Sequence, residues 1–239
     1  MKFEDDLIPF FSDSQFSEAL KVKISEKETS VPSRIEYLES VARGTNIIHV
    51  GCVDHIPLIP WKIENNIWLH KRLSDCAKRC LGIDLNAEGI QYLKTKLNYQ
   101  DVLRMDIAED SPAMEIVSQK WDFMIVGEIL EHLNEPFSFL TSIKHNYSGI
   151  IDRIVITVPN AFRLPNFLSA KKHIEYINSD HRFWFTPFTL AKLLSDAEMK
   201  VEEFQFCQDY PLTRKSILRK IILRKYPAFR NVLVMIAKI

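Results

Sequence analysis

Residues 46–51 read NIIHVG, a short β-branched, apolar run closed by a glycine. That pattern suits a buried strand followed by a sharp turn. The next stretch, CVDHIPLIPWKIENN (52–66), carries two prolines and reads as loop. NIWLHKRLSDCAKRC (66–80) has helical period, with Trp68, Leu73 and Ala77 on one side, and CLGIDL (80–85) reads as a second strand. The alternation continues through a helix over NAEGIQYLKTKL (86–97) capped by Asn86 and a strand over DVLRMD (101–106). A short helix over SPAMEIVSQK (111–120) opens at Ser111 and Pro112, and WDFMIVGE (121–128) forms a fourth, strongly apolar strand.

Further along, Asn134 is placed to cap a helix with Pro136 in its first turn, and DRIVITVPN (152–160) is a fifth strand. Residues 166–178 read as helix, and Thr186 or Pro187 opens another through Ala197. KVEEFQFCQD (200–209) alternates as a sixth strand, and NVLVMIAKI (231–239) is the last. Upstream, residues 7–24 read as an irregular opening followed by a short helix, and Ser33 caps a helix through Ala42 that Gly44 stops. Strands alternating with helices imply a parallel sheet covered on both faces. The last two strands are joined by a basic segment rather than an ordinary crossover helix, so they should pair as an antiparallel hairpin. The expected fold is therefore α/β: a doubly wound, mostly parallel, seven-stranded Rossmann-like sheet with a C-terminal antiparallel hairpin strand. One domain should span 1–239, comprising a helical N-terminal extension (1–45), a core (46–207), a basic insertion (208–230) and the last strand (231–239).

Composition narrows the function classes. Lys plus Arg and Asp plus Glu balance at 31 each, so no global field points to nucleic acid. The four cysteines, Cys52, Cys76, Cys80 and Cys207, form no C-x-x-C pair, and the Cys76/Cys80 spacing fits neighbouring turns of one helix. They read as scattered thiols of a reducing compartment. The acidic start MKFEDDLIPFF lacks the layout of a signal peptide, and no apolar run approaches a membrane span. The expected localisation is cytoplasmic.

Ligands of open α/β sheets sit beyond the carboxyl ends of the strands. The residues there are Gly51, Asp84, Asp106, Glu128 and Pro159-Asn160. A glycine after the first strand lets backbone approach a ligand closely. An acid after the second can accept from both ribose hydroxyls, and one after the third can accept from an adenine amino group. Leu85 and Ile107 can flank the ring. The ordered series HVGC, GIDLN, RMDIAED, WDFMIVGEILEHL, IVITVPNAF and HRFWFTPFTLAKLL resembles the class I S-adenosylmethionine-dependent methyltransferases, in particular the branch that modifies small molecules and glycans. The resemblance covers roughly residues 46–207 and the last strand.

The resemblance implies S-adenosylmethionine as cofactor. It implies Gly51 beneath the methionine portion with Cys52 next to it, Asp84 at the ribose, Asp106 at the adenine with Leu85 and Ile107 about the ring, and Glu128 near the methionine amino group. Two departures stand out. His49 occupies the place where the family usually has an acid, with Asp54 the nearby acid that could replace it, and Val53 and His55 fall where further glycines are usual. Those departures keep a cofactor-binding pseudoenzyme or regulatory partner in view. A nicotinamide-dependent oxidoreductase is disfavoured by the missing G-x-G-x-x-G.

His181 and His132 are the candidate general bases for transfer to a hydroxyl, the expected acceptor being a sugar or polysaccharide precursor or another small metabolite. Glu128-x-x-Glu131-His132 resembles the cluster with which ubiquinone-pathway O-methyltransferases bind a divalent cation. The same Glu-His pair also serves helix entry or substrate contact in relatives, so no metal is expected. Finally, PLTRKSILRKIILRKYPAFR (211–230) holds seven bases and no acid, whereas residues 1–40 hold nine acids and five bases. Ile217, Leu218, Ile221 and Ile222 share one helical side, flanked by Arg214, Lys215, Arg219, Lys220, Arg224 and Lys225. One reading is a capping helix whose bases are solvated or pair with the acidic N-terminal segment. The other is peripheral contact with an anionic membrane, matching an anionic or lipid-linked acceptor. No nucleic-acid partner is expected.

Overall fold

The computed structural model describes residues 1–213 and 216–239. Arg214 and Lys215, two of the flanking bases named above, lie outside the described residues. Seven strands form one sheet: β1 (Asn46–Val50), β2 (Arg79–Asp84), β3 (Val102–Arg104), β4 (Trp121–Gly127), β5 (Ile151–Pro159), β6 (Lys200–Cys207) and β7 (Val232–Lys238). Their order is β3-β2-β1-β4-β5-β7-β6. The first five pair in parallel, while β7 runs antiparallel between β5 and β6, so the expected doubly wound sheet and terminal hairpin are both present.

Period-two alternation distributes each strand between two layers. Ile47, Ile125, Val155 and Val234 pack against α2 (Arg34–Ala42) and α4 (Leu69–Cys76) through Ile35, Leu38 and Leu73. Their neighbours Ile48, Met124, Ile154 and Met235 face the other way, toward Leu140 and Ile143 of α7 (Pro136–Tyr147) and Leu190 and Leu194 of α9 (Pro187–Asp196). Local signals explain several helix starts. Ser33 and Glu36 form a reciprocal capping box on α2, Thr186 and Thr189 form another on α9, and Asn86 accepts from the Gly89 N–H on α5 (Ala87–Lys96).

Several expectations are corrected. The opening order is reversed: α1 (Ile8–Phe11) comes first, anchored by the buried Phe11 ring against Phe3 and Phe188, and no helix follows until α2. Residues 52–66 are not all loop. A 3-10 turn over Ile56–Leu58 leads into α3 (Ile59–Glu64), because Pro57 and Pro60 sit in first turns, where a missing N–H costs nothing. Cys76 and Cys80 do not share a helix, since α4 ends at Cys76 and Cys80 lies in β2, paired with Ile47.

The short helix α6 (Met114–Val117) is preceded by Ala113 rather than opened by Ser111 and Pro112. Glu135, not Asn134, precedes α7, with Pro136 as its first residue. Helix over 166–178 shrinks to α8 (Leu164–Ala170). His173, at φ +60°, turns the chain left-handed, and the Ile174 N–H reaches back to the Ser169 carbonyl, 3.0 Å away. That closure ends the helix. The basic segment contributes α10 (Ile217–Lys225) between β6 and β7. Among the described residues, no helix is long and apolar enough to cross a membrane.

Candidate functional site

The residues at the carboxyl ends of β1, β2, β3 and β4 line two adjoining cavities that share Gly51, Asp84 and Ile129. Gly51 leaves β1 at φ +77°, and the N–H groups of Gly51 and Cys52 both donate to the Ile83 carbonyl, at 2.8 and 3.2 Å. This turn brings backbone to the cavities with no side chain in the way. Asp84 Oδ2 accepts from the Val53 N–H and Oδ1 from the Asn86 N–H, both at 2.9 Å. Each oxygen thus holds part of the surrounding loops and keeps further accepting capacity. Two residues past the end of the adjoining β3, Asp106 Oδ1 accepts from the Ala108 and Glu109 N–H groups, at 3.0 and 3.2 Å.

Gly51, Asp84, Leu85, Asp106 and Ile107 all line one cavity of about 420 Å³, closed on another side by Ile129. Leu85 is exposed, an apolar side chain facing that space. A second cavity of about 390 Å³ shares Gly51, Asp84 and Ile129 with the first and extends toward His49, Cys52, Asp54, Arg34 and Glu128.

The second cavity has paired charges. Glu128 stands at φ +56° at the end of β4, a strained conformation for a non-glycine residue. Its Oε1 accepts from the Thr157 hydroxyl at 3.0 Å and lies 3.7 Å from the Arg34 guanidinium. Burial pushes the Glu128 carboxyl up from the ordinary range, and Arg34 and Thr157 pull it partly back. Asp54 is bound by Lys62. His49 lines this cavity, yet its Nδ1 lies 3.2 Å from Nδ1 of the buried His70. Burial lowers both imidazoles, His70 to about 4 and His49 well below its usual value, with His70 adding to the effect on His49. One ring must donate and the other accept, so the accepting imidazole is neutral, and burial disfavours a charge on either ring. Cys52 is buried, and burial together with the Asp84 carboxylate pushes its thiol well above the usual value, which makes it a poor nucleophile.

Beyond Glu128, the chain makes a 3-10 turn over Leu130–His132. It carries Glu131, wholly buried with neither carboxylate oxygen hydrogen-bonded. Burial, with Glu128 nearby, raises the Glu131 carboxyl to about 8. His181 reaches this turn from far along the sequence. Arg182 holds it there: its N–H donates to the Glu131 carbonyl and its guanidinium to the His132 carbonyl, each at 2.7 Å. The His132 and His181 rings meet edge to face at 4.7 Å, and His132 Nδ1 lies 3.0 Å from an Asp180 carboxylate oxygen. His181 Nδ1 is buried without a partner, and burial and His132 lower the ring's pKa. Donor atoms of Glu131, His132 and His181 lie within 4.8 Å of one another. Glu128 is not a member of that cluster.

The structure therefore gathers Gly51, Asp84, Leu85, Asp106 and Ile107 at one cavity, His49, Cys52 and Glu128 at its neighbour, and His132 with His181 beside Glu131. Sequence reading missed Arg34 and Thr157, the partners of Glu128, and also His70, Asp180 and Arg182. Arg34 was visible only as the residue after a helix cap. Nothing local signalled that α2 would dock with that guanidinium over β4.

No protein-family model and no curated protein sequence matches the chain. Solved structures do. The small RNA methyltransferase HEN1 is similar at TM-score 0.57 and 17% identity, over 92% of this chain and 27% of that one. Magnesium protoporphyrin IX methyltransferase from Synechocystis, with bound S-adenosylhomocysteine, is similar at TM-score 0.53 and 13% identity, over 85% and 81% of the two chains. A putative methyltransferase from Bacillus halodurans gives TM-score 0.52 at 12% identity, over 86% and 98%. The chain has the class I methyltransferase fold.

Proposed function

We propose that this chain works as one methyltransferase domain, using S-adenosylmethionine to methylate a hydroxyl of a sugar, a polysaccharide precursor or another small metabolite. The observation that carries the reading is the convergence of Gly51, Asp84 and Asp106 on one cavity, beside a second that shares Gly51 and Asp84 and is lined by Arg34 and Glu128. These residues fit an adenosine bearing an amino acid. Asp84 keeps lone pairs for two ribose hydroxyls, Leu85 and Ile107 offer apolar walls to the base, and Arg34 with Glu128 offers opposite charges to a carboxylate and an ammonium. When bound, the cofactor supplies an activated sulfonium methyl. The chain's remaining work is to orient an acceptor, which alone lowers the barrier by several kcal/mol or more, and to take its proton. We assign that step to His181 or His132, whose rings meet at 4.7 Å, with Asp180 3.0 Å from His132 to stabilise the imidazolium that would form.

A metal-assisted variant of this reading is favoured by one observation, the orphaned oxygens of Glu131 next to the unpartnered His181 Nδ1. One carboxylate and two imidazoles suit a divalent cation such as Mn²⁺. Such an ion would polarise an acceptor hydroxyl and ease its deprotonation. Glu131, His132 and His181 would hold it.

Isothermal titration tests the cofactor assignment. S-adenosylhomocysteine should bind wild type, and Asp84→Ala should weaken it about 10- to 100-fold, the value of hydrogen bonds to a charged acceptor. Binding of NAD in preference to S-adenosylhomocysteine would overturn the assignment. Cofactor binding without methyl transfer to any acceptor, hydroxyl or other, would instead leave a regulatory, non-catalytic protein.

A further inference from the structure

We propose that α8 and α10 together form a docking surface for an anionic lipid bilayer. The proposal starts from the orientation of α10. Its side turned into the protein is held by Leu223, buried to 1% exposure, while Ile217, Leu218 and Ile221 are 66%, 71% and 56% exposed. At 100° per residue these three share one side of the helix with Ile222. An amphipathic helix on a globular protein normally turns that side inward. Here it faces out.

The orientation is fixed, not incidental. Arg230 is fully buried. Its guanidinium donates to the Leu223 carbonyl at 3.0 and 3.1 Å and to the Ser30 carbonyl at 2.8 Å, and it pairs with Glu28 at 2.7 Å. The Glu28 N–H in turn donates to the Arg224 carbonyl. One base of the segment thus pairs with the acidic N-terminal region and clamps the helix end. Among the described residues, no ion pair joins Arg219, Lys220, Arg224 or Lys225 to an acid.

The patch does not stop at α10. A groove of about 390 Å³ runs between Leu164, Pro165 and Leu168 of α8 and Leu218 and Ile222 of α10. Phe167 and Leu168 are exposed beside it, followed by the exposed Lys171 and Lys172. The location is set by topology. β6 ends and β7 begins where Cys207 pairs with Val232, opposite Pro159 at the end of β5. Both helices therefore hang at the carboxyl edge of the sheet, the edge that carries the candidate site.

Contiguous exposed aliphatic groups of this kind mark an interaction surface. A rim of bases around large aliphatic side chains, with no acid between 211 and 230, complements an anionic headgroup layer over acyl chains. A nucleic-acid surface would use the bases and leave the aliphatics unused. Docking would bring the methyl-transfer groove to the lipid–water boundary, within reach of an acceptor carried on a lipid.

Vesicle co-sedimentation of the full chain tests this without cofactor, so its result is separate from that of the methyl-transfer assignment. The chain should partition onto phosphatidylglycerol-containing vesicles and bind pure phosphatidylcholine about tenfold more weakly or less, and added salt should weaken the binding. Leu218→Ser with Ile221→Ser, and separately Arg224→Glu with Lys225→Glu, should each lower partition by about tenfold while thermal melting stays unchanged, since all four side chains are exposed. Failure to bind anionic vesicles, or equal binding by both variants, overturns the proposal. So does a dimer in analytical ultracentrifugation that the Leu218/Ile221 variant dissolves, because a second copy would then be the occupant. Binding of an RNA oligomer, lost in the Arg224/Lys225 variant while vesicles are ignored, overturns it in favour of nucleic acid.

Discussion

Glu131 has no exposed surface and no hydrogen-bond donor on either carboxylate oxygen. An ionised carboxylate cannot rest there alone, because burying an unpaired charge costs several kcal/mol or more. Three states resolve this: a neutral acid, consistent with a carboxyl raised to about 8, a carboxylate paired with a protonated His132, whose Nε2 lies 3.9 Å from Oε1, or a carboxylate neutralised by a cation shared with His132 and His181. Manganese binding followed by electron paramagnetic resonance tests the last. Under the cation reading, wild type binds Mn²⁺ and Glu131→Gln weakens it by at least about tenfold, while S-adenosylhomocysteine affinity holds, since Glu131 lines neither cofactor-side cavity. A wild-type chain that leaves the free Mn²⁺ signal untouched overturns the cation reading and leaves Glu131 as a neutral acid or as the partner of His132. Residue-level reading from sequence succeeded in placing acids at strand ends, because that placement follows from strand periodicity alone. It failed for residues whose role depends on a partner from elsewhere: Arg34 from α2, His70 from α4, and the pairing of Arg182 with the Glu131 turn.

Between elements, tight contacts decide what each glycine does. Gly89 lies in the first turn of α5, directly beneath the loop that leaves Gly51. A Cβ there would run into Val53 Cγ1 and lie 2.8 Å from Cγ2. In an open helix Gly→Ala gains up to about 1 kcal/mol; at this contact the overpacking term of about 1–3 kcal/mol reverses the sign. Gly89→Ala should therefore destabilise the chain in urea unfolding, and adding Val53→Ala should restore part of the loss through a non-additive coupling. A stabilised Gly89→Ala would mean that the loop yields freely. The elements themselves were mostly legible. Strands β1 to β5 follow from apolar runs that end at or near a glycine, acid or proline, β6 from its alternation, β7 from an unbroken apolar run, and α2, α5 and α9 from their caps. What misled was proline in 52–66, which marks a first helical turn as readily as a loop, and the run after Ala170, where a left-handed residue with no glycine ends the helix. Neither signal can be separated from its alternative without the contacts around it.

Across the molecule, strand direction was readable because each parallel step needs a crossover and the final pair had no ordinary one, whereas the order of the strands was not. The outward face of α10 was not either, since helical periodicity gives an apolar side without saying what it meets. The same holds for the two buried histidines that tie the layers together. His49 lies on β1 at the centre of the sheet, and His70 on α4 above it, stacked at 5.4 Å with Trp68 and Tyr99 around the second ring. Burial depresses His70 to about 4 and His49 in the same direction. In the unfolded chain both imidazoles take a proton near 6.5. As pH falls below that value the unfolded state binds protons that the folded state refuses, so stability declines from about 6.5 down toward 4 and is unaffected above. For His70 alone the linkage amounts to about 2 kcal/mol between about pH 7.5 and about pH 5. Urea unfolding at the two pH values should show this loss in wild type. His70→Phe, which keeps a ring among Trp68 and Tyr99 but carries no titrating nitrogen, should lose less by about that amount. Parallel declines in the two proteins would mean that His70 accepts its proton in the folded state, and that the contact with His49 at the sheet centre does not exclude it.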